Sequence, residues 1–188
     1  MTLNSKKTVC KIGLRIPFLS LIIFLNVCLG CVSVGIPPDA SNAIGTISEK
    51  KSLCEGRARQ IKNYYSKDAE QYKEANKLYI DAKAAFDGWI EQFKFDLTVN
   101  TNITTSDRYK ESLNKASEKG DIFLKYVDSL TSEKTKSIAA IATVTSILPS
   151  LTDAGIKIWE NYRKAKEEQR KEIKKDLDNL KWKAFDEI

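Results

Sequence analysis

The sequence predicts an all-α protein, an elongated antiparallel bundle or coiled coil of three, alternatively four, long helices. Two sets of apolar residues carry that expectation. Tyr65, Tyr72, Tyr79, Phe86 and Phe93 recur every seven residues, with Ile61, Ala69, Ala75, Ala82, Ile90 and Leu97 three or four residues from them. That is one apolar stripe on one helix. Downstream, Tyr109, Leu113, Ala116, Gly120, Phe123, Val127 and Leu130 alternate steps of four and three. Rings and alanines on one helix need such a second face to cover them, large against small.

The first thirty residues have a different design. Lys6, Lys7, Lys11 and Arg15 precede an uncharged run from Ile16 to Pro38, and no acid occurs before Cys31. Positive charge stays cytoplasmic while such an apolar run enters the membrane. The run passes through Cys28-Leu29-Gly30-Cys31, which resembles the lipobox of bacterial lipoproteins, a small residue just before a cysteine at the end of a short apolar region. The resemblance covers residues 1–31 and departs from the family at Cys28, where a leucine is usual. It implies a signal peptide over 1–30 and lipid attachment at Cys31, which becomes the mature N-terminus. The domain would then face outside the cytoplasm, in the cell envelope, anchored to the bilayer by acyl chains. In a Gram-negative host, Val32 in place of an aspartate points to the outer membrane. The competing reading keeps Ile16 to Ile36 as an uncleaved transmembrane anchor, which leaves the domain on the same side.

Removing the leader changes what the charge means. The whole chain carries +6, but from residue 31 onward 27 basic residues face 25 acidic ones. The basic balance belongs to the leader, so no nucleic-acid partner is expected.

Residues 31–45, with two prolines, two glycines and small polar residues, suit a flexible tether. A helical-bundle domain over 46–188 is expected beyond it. Thr46 and Glu49 have capping-box spacing, and no proline interrupts the chain from there to Leu97, so one helix is expected over about 46–98. VNTNITTSD, residues 99–107, is rich in turn formers and ends on Ser106 or Asp107 as an N-cap. The second helix is expected over 106–148, broken at Pro149 because proline lacks the donor and clashes with the preceding turn; a turn near residue 131 is the alternative. The third, over 150–180, carries Ile158, Tyr162, Ala165, Ile173, Leu177 and Leu180 on one face and the mixed charge of KAKEEQRKEIKKD on the other. That charge run is expected to be a solvated face. The tail ends with Trp182, Phe185 and Ile188. It either docks over the bundle, the favoured expectation, or offers these three side chains as contacts to a protein partner, because uncovered aromatics are a liability.

The residue types exclude much chemistry. There is no histidine, which removes Ser-His and Cys-His pairs and nearly every zinc or haem constellation. Cys54 alone remains after Cys31, so an intrachain disulfide is excluded; its place seven residues before Ile61 suits a buried small hydrophobe. No phosphate loop, serine elbow or calcium loop occurs. No catalytic residue, cofactor or metal is expected. The uncharged stretch Ser137 to Thr152 reads as a buried core segment, or alternatively as a membrane-inserting, pore-forming element. The leading expectation is a lipid-anchored, non-enzymatic binding or scaffolding module, with an immunity or exclusion lipoprotein that binds a foreign protein as a variant.

Overall fold

The computed structural model describes residues 35–99, 101–134 and 148–188. These are helical, with α1 Pro38–Tyr64, α2 Glu70–Thr98, α3 Asp107–Lys134, α4 Leu148–Lys164, α5 Glu167–Asp178 and a closing 3-10 turn Phe185–Glu187. No strand occurs among the described residues. The leader, Cys31 and the part of the uncharged stretch over 137–147 lie outside them.

The chain is divided differently from the expected three helices. The first difference lies in the tether, because α1 begins at Pro38 where a flexible segment over 31–45 was expected. Proline is well suited to a first helical turn, where its missing N–H would have no partner and its fixed φ is already helical. Behind it Ala40, Ile47, Cys54 and Ile61 lie seven apart and are all buried. That stripe holds the segment down, and the helix start anticipated at Thr46 lies inside α1.

The expected helix over 46–98 is in fact two, parted at Tyr65–Ala69. Tyr65 turns extended, at φ −126° and ψ 140°, and the Ala69 N–H closes a turn on the Ser66 carbonyl at 3.0 Å. No glycine or proline forces this break. Ile61 and Tyr65 are four residues apart and would share one face of a continuous helix, so the stripe itself carries no sign of this break.

α2 and α3 form an antiparallel hairpin interlocked by rings. Tyr79 meets Phe123 at 5.4 Å between centroids, and Phe93 meets Tyr109 at 5.6 Å. On α2, Tyr72, Tyr79, Phe86, Trp89, Ile90, Phe93 and Leu97 are buried; on α3, Tyr109, Leu113, Ala116, Phe123 and Val127 are. At the loop, Asn102 Oδ1 accepts from the Thr104 N–H and hydroxyl, and Ser106 Oγ accepts from the Tyr109 N–H at 3.2 Å to cap α3. Ile103, fully buried, plugs the end of the hairpin.

α1 packs chiefly on α4, and Arg57 of α1 reaches Asp128 of α3 at 3.0 Å. Pro149 sits in the first turn of α4, where its missing N–H costs no helical bond; the expected end of the second helix at 148 falls on residues outside those described. The expected helix over 150–180 is again two. Arg170 bends back to donate from Nε to the Tyr162 carbonyl and from Nη2 to the Arg163 carbonyl, each at 3.0 Å. These are among the last carbonyls of α4, the Tyr162 one also accepting from the Ala165 N–H at 3.3 Å, so the elbow at Ala165-Lys166 is stabilised where composition alone favours continuing. Past it, Ile173 and Leu177 turn inward, and Lys94 of α2 pairs with Asp178.

Candidate functional site

The tail was the first candidate for a partner contact, and it is already occupied by the protein's own core. Trp182 and Phe185 are each 3% exposed, and Ile188 packs half-buried against the same cluster. Tyr79 has Trp182 and Phe185 each at 5.4 Å, Phe86 has Trp182 at 5.1 Å, and Tyr72 has Phe185 edge-on at 5.4 Å. The rings expected on the α2 stripe are thus covered by the tail as well as by α3. Two of the three anticipated contacts are therefore withdrawn from any partner.

What fixes the tail is polar and was not anticipated. It makes no helix or sheet over 179–184, so its main-chain groups need side-chain partners once buried. The Trp182 N–H donates to Asp87 Oδ1 and the Lys183 N–H to Glu55 Oε1, both at 3.1 Å. The Lys183 carbonyl accepts from the Tyr79 hydroxyl at 3.0 Å, and Lys62 Nζ donates to the Phe185 and Asp186 carbonyls at 3.3 Å. Glu55 is only 5% exposed and is paired with Lys51 at 3.0 Å. Burial, reinforced by the Glu55 charge, pushes the Tyr79 phenol far above its usual range; it acts as a permanent donor.

Cys54 lies fully buried on α1. Burial, then the Asp121 and Glu55 charges, push its thiol up to about 12, so it stays protonated and unreactive at neutral pH.

At the opposite end of α2 the buried polar groups are less completely met. Asp96 Oδ1 accepts from Gln92 at 3.1 Å, while its Oδ2, the Tyr109 hydroxyl and the Trp89 indole nitrogen have no well-formed hydrogen bond. Burial raises the Asp96 carboxyl, outweighing the Gln92 bond, and pushes the Tyr109 phenol up to about 12. The Tyr109 hydroxyl abuts Gly155 of α4 so closely that a Cβ there would lie 2.0 Å from it.

Beside this end is a cleft of about 520 Å³ lined by Asn102, Trp159, Arg163 and Arg170. Trp159 is fixed by donating from Nε1 to the Thr101 carbonyl at 2.8 Å. The Arg163 guanidinium lies 4.8 Å from the centroid of that indole, and Arg170 lies 5.2 Å from the Tyr162 ring. Arg170, from the run expected to be only a solvated face, thus joins Trp159 and Arg163 in an open, cationic and aromatic recess. These three lie within twelve residues and only Asn102 is remote; the pairing of Trp159 with Arg163, one helical turn apart, was open to a sequence reading.

Among the described residues no cluster of acids and cysteines is placed to hold a metal ion, and no helix is long and apolar enough to cross a membrane. Of the uncharged stretch, Leu151 is fully buried in α4. Comparison with protein-family models, curated proteins and solved structures finds no match to this chain.

Proposed function

We propose that this is a bacterial lipoprotein whose helical domain serves as a non-enzymatic binding or scaffolding module at the cell envelope. The observation that carries the reading is Gly30-Cys31 at the end of a basic-then-apolar leader, followed within a few residues by the start of a packed fold at Gly35. Such an order is what an acylated cysteine followed by a folded cargo requires. The long antiparallel arrangement belongs to the same proposal and is supported by the α2–α3 hairpin. A binding role is supported by the recess of Arg163, Arg170, Trp159 and Asn102, whose groups hold charge and ring faces toward a ligand without offering a nucleophile paired to a base.

The anchor is tested by metabolic labelling with a palmitate analogue. The natural chain should take up label and lose the mass of residues 1–30, and Cys31→Ser should do neither. A full-length unlabelled product would overturn the lipoprotein reading. The binding role is tested by pull-down from detergent-solubilised membranes, comparing the natural chain with Arg163→Ala. A protein captured equally by both supports a partner bound outside the recess, and capture of none overturns the binding role.

A further inference from the structure

We infer that the recess between the α2–α3 loop and the α4–α5 elbow seats the phosphate-bearing headgroup of an anionic phospholipid. The inference rests on the lipoprotein reading for its position and on the recess itself for its chemistry. Two guanidinium groups meet there with an amide and an indole, and none of the four lining residues is a carboxylate. Guanidinium forks match phosphate oxygens in pairs and are less strongly hydrated than ammonium groups. Arg170 is positioned in advance by the two carbonyls ending α4, and the exposed Arg163 lies over an indole that is itself tied to Thr101. Little freedom of the Arg170 side chain remains to be lost on binding. The cavity, about 520 Å³, suits a headgroup of ordinary size, since small-ligand sites span roughly 300–1,000 Å³.

The location points to lipid over a peptide. Gln169, the neighbour of Arg170, donates to the Gly35 carbonyl at 3.1 Å, so the elbow is tied to the first residue of the fold. An acylated Cys31 would put the domain at a bilayer, whose headgroup layer favours Trp and Tyr rings with basic side chains, the residue types that line this recess.

The test uses the full natural chain purified in detergent, with mixed micelles doped with headgroup spin-labelled phosphatidylglycerol or, at equal fraction, spin-labelled phosphatidylcholine. Trp89 and Trp182 are buried, so the quenchable emission belongs to Trp159. Quenching several-fold stronger with the anionic lipid is expected. It should be lost in Trp159→Phe and fall to the phosphatidylcholine level in Arg163→Ala, whose far-ultraviolet spectrum should be unchanged because the Arg163 carbonyl still accepts from Arg170. Equal quenching by both lipids, or quenching that survives either substitution, overturns the inference. So does protection of Trp159 by inorganic phosphate with no preference between the lipids, which would mark a site for a soluble anion. Micelles do not need the acyl anchor, so the two readings fail separately. A labelled chain without lipid preference removes the headgroup site alone; lipid preference in a chain that takes up no palmitate removes the anchor alone.

Discussion

The two ends of α2 solve the same problem in opposite ways. Toward its start, large rings are covered by an irregular tail whose main-chain groups are met by Asp87, Glu55, Tyr79 and Lys62. Toward its end, the rings Trp89, Phe93 and Tyr109 are packed against one another and against Gly155, while Asp96 Oδ2 and the Tyr109 hydroxyl lie without good partners. The first end is a closed polar and aromatic clamp. The second leaves a carboxylate oxygen and a hydroxyl without good partners beside a recess, whereas in the clamp the Trp182 indole nitrogen is the group left so.

If the clamp joins the tail to α1 and α2, removing it should do the greatest damage. Trp182→Ala takes a buried indole from contact with Tyr79 and Phe86 and should cost about 3–5 kcal/mol, as large aromatic truncations in cores do. Urea unfolding followed by circular dichroism measures it. A midpoint within error of the natural chain would mean that the tail is not part of the cooperative fold. Glu55→Ala, which strands the buried Lys183 N–H and Lys51, should cost about 1–3 kcal/mol. Glu55→Gln, which keeps an acceptor for Lys183, should cost clearly less.

At the opposite end the sign of one substitution is decisive. In an open helical position Gly→Ala stabilises by about 1 kcal/mol. At Gly155 the new methyl would meet the Tyr109 hydroxyl, and overpacking of this kind costs about 1–3 kcal/mol. Gly155→Ala should therefore destabilise, and most of the loss should disappear in a Tyr109→Phe background, which has no hydroxyl to clash. Equal cost in both backgrounds, read from denaturant midpoints, would remove the Tyr109–Gly155 contact as the reason for this glycine.

Much of the fold was legible because periodicity reports packing directly. The α2 and α3 faces belong to that class. Trp89 was not recognised, though it is the largest of the fully buried side chains, because it lies beside Ile90 and off the seven-residue series. The break at Tyr65 was not legible, because Ile61 and Tyr65 keep the four-residue spacing of one helical face and no glycine or proline marks the turn. The prolines at 37 and 38 concealed the start of α1, since the same residue serves a tether and a first helical turn. The elbow at Ala165-Lys166 was not legible: both residues favour helix, and the cap comes from Arg170 in the next element. For the same reason the tail's apolar content predicted docking, while its carboxylate and lysine partners, more than 90 residues away in sequence, were beyond any local pattern.

The smallest expected effects set the tail against the end of α2 through a pair of carboxylates on that helix. Glu91 receives a hydrogen bond from Lys181 at the root of the tail, and that bond draws its carboxyl below the usual range. Its contribution to stability is present above the unfolded carboxylate pKa, about 4.3, and is lost as pH falls through the depressed folded value. The effect is small because the pair is exposed and screened by salt. Asp96 runs the other way. Burial raises its carboxyl, so ionisation penalises the fold: the penalty is absent below the unfolded value, about 3.9, and complete above the raised folded one. Asp96→Asn should therefore raise the urea midpoint at pH 7 and leave it nearly unchanged at pH 3, whereas Lys181→Ala should lower it slightly at pH 7 and not at pH 3. Midpoints measured at both pH values, at low and high salt, decide between them. Salt should erase the Lys181 difference and spare that of Asp96, because only the exposed pair is open to counterions. A salt-sensitive Asp96 effect would mean that this end is solvated, and with it would go the contrast between a clamp that meets the tail's main-chain groups and an end that leaves a buried carboxylate oxygen unmet.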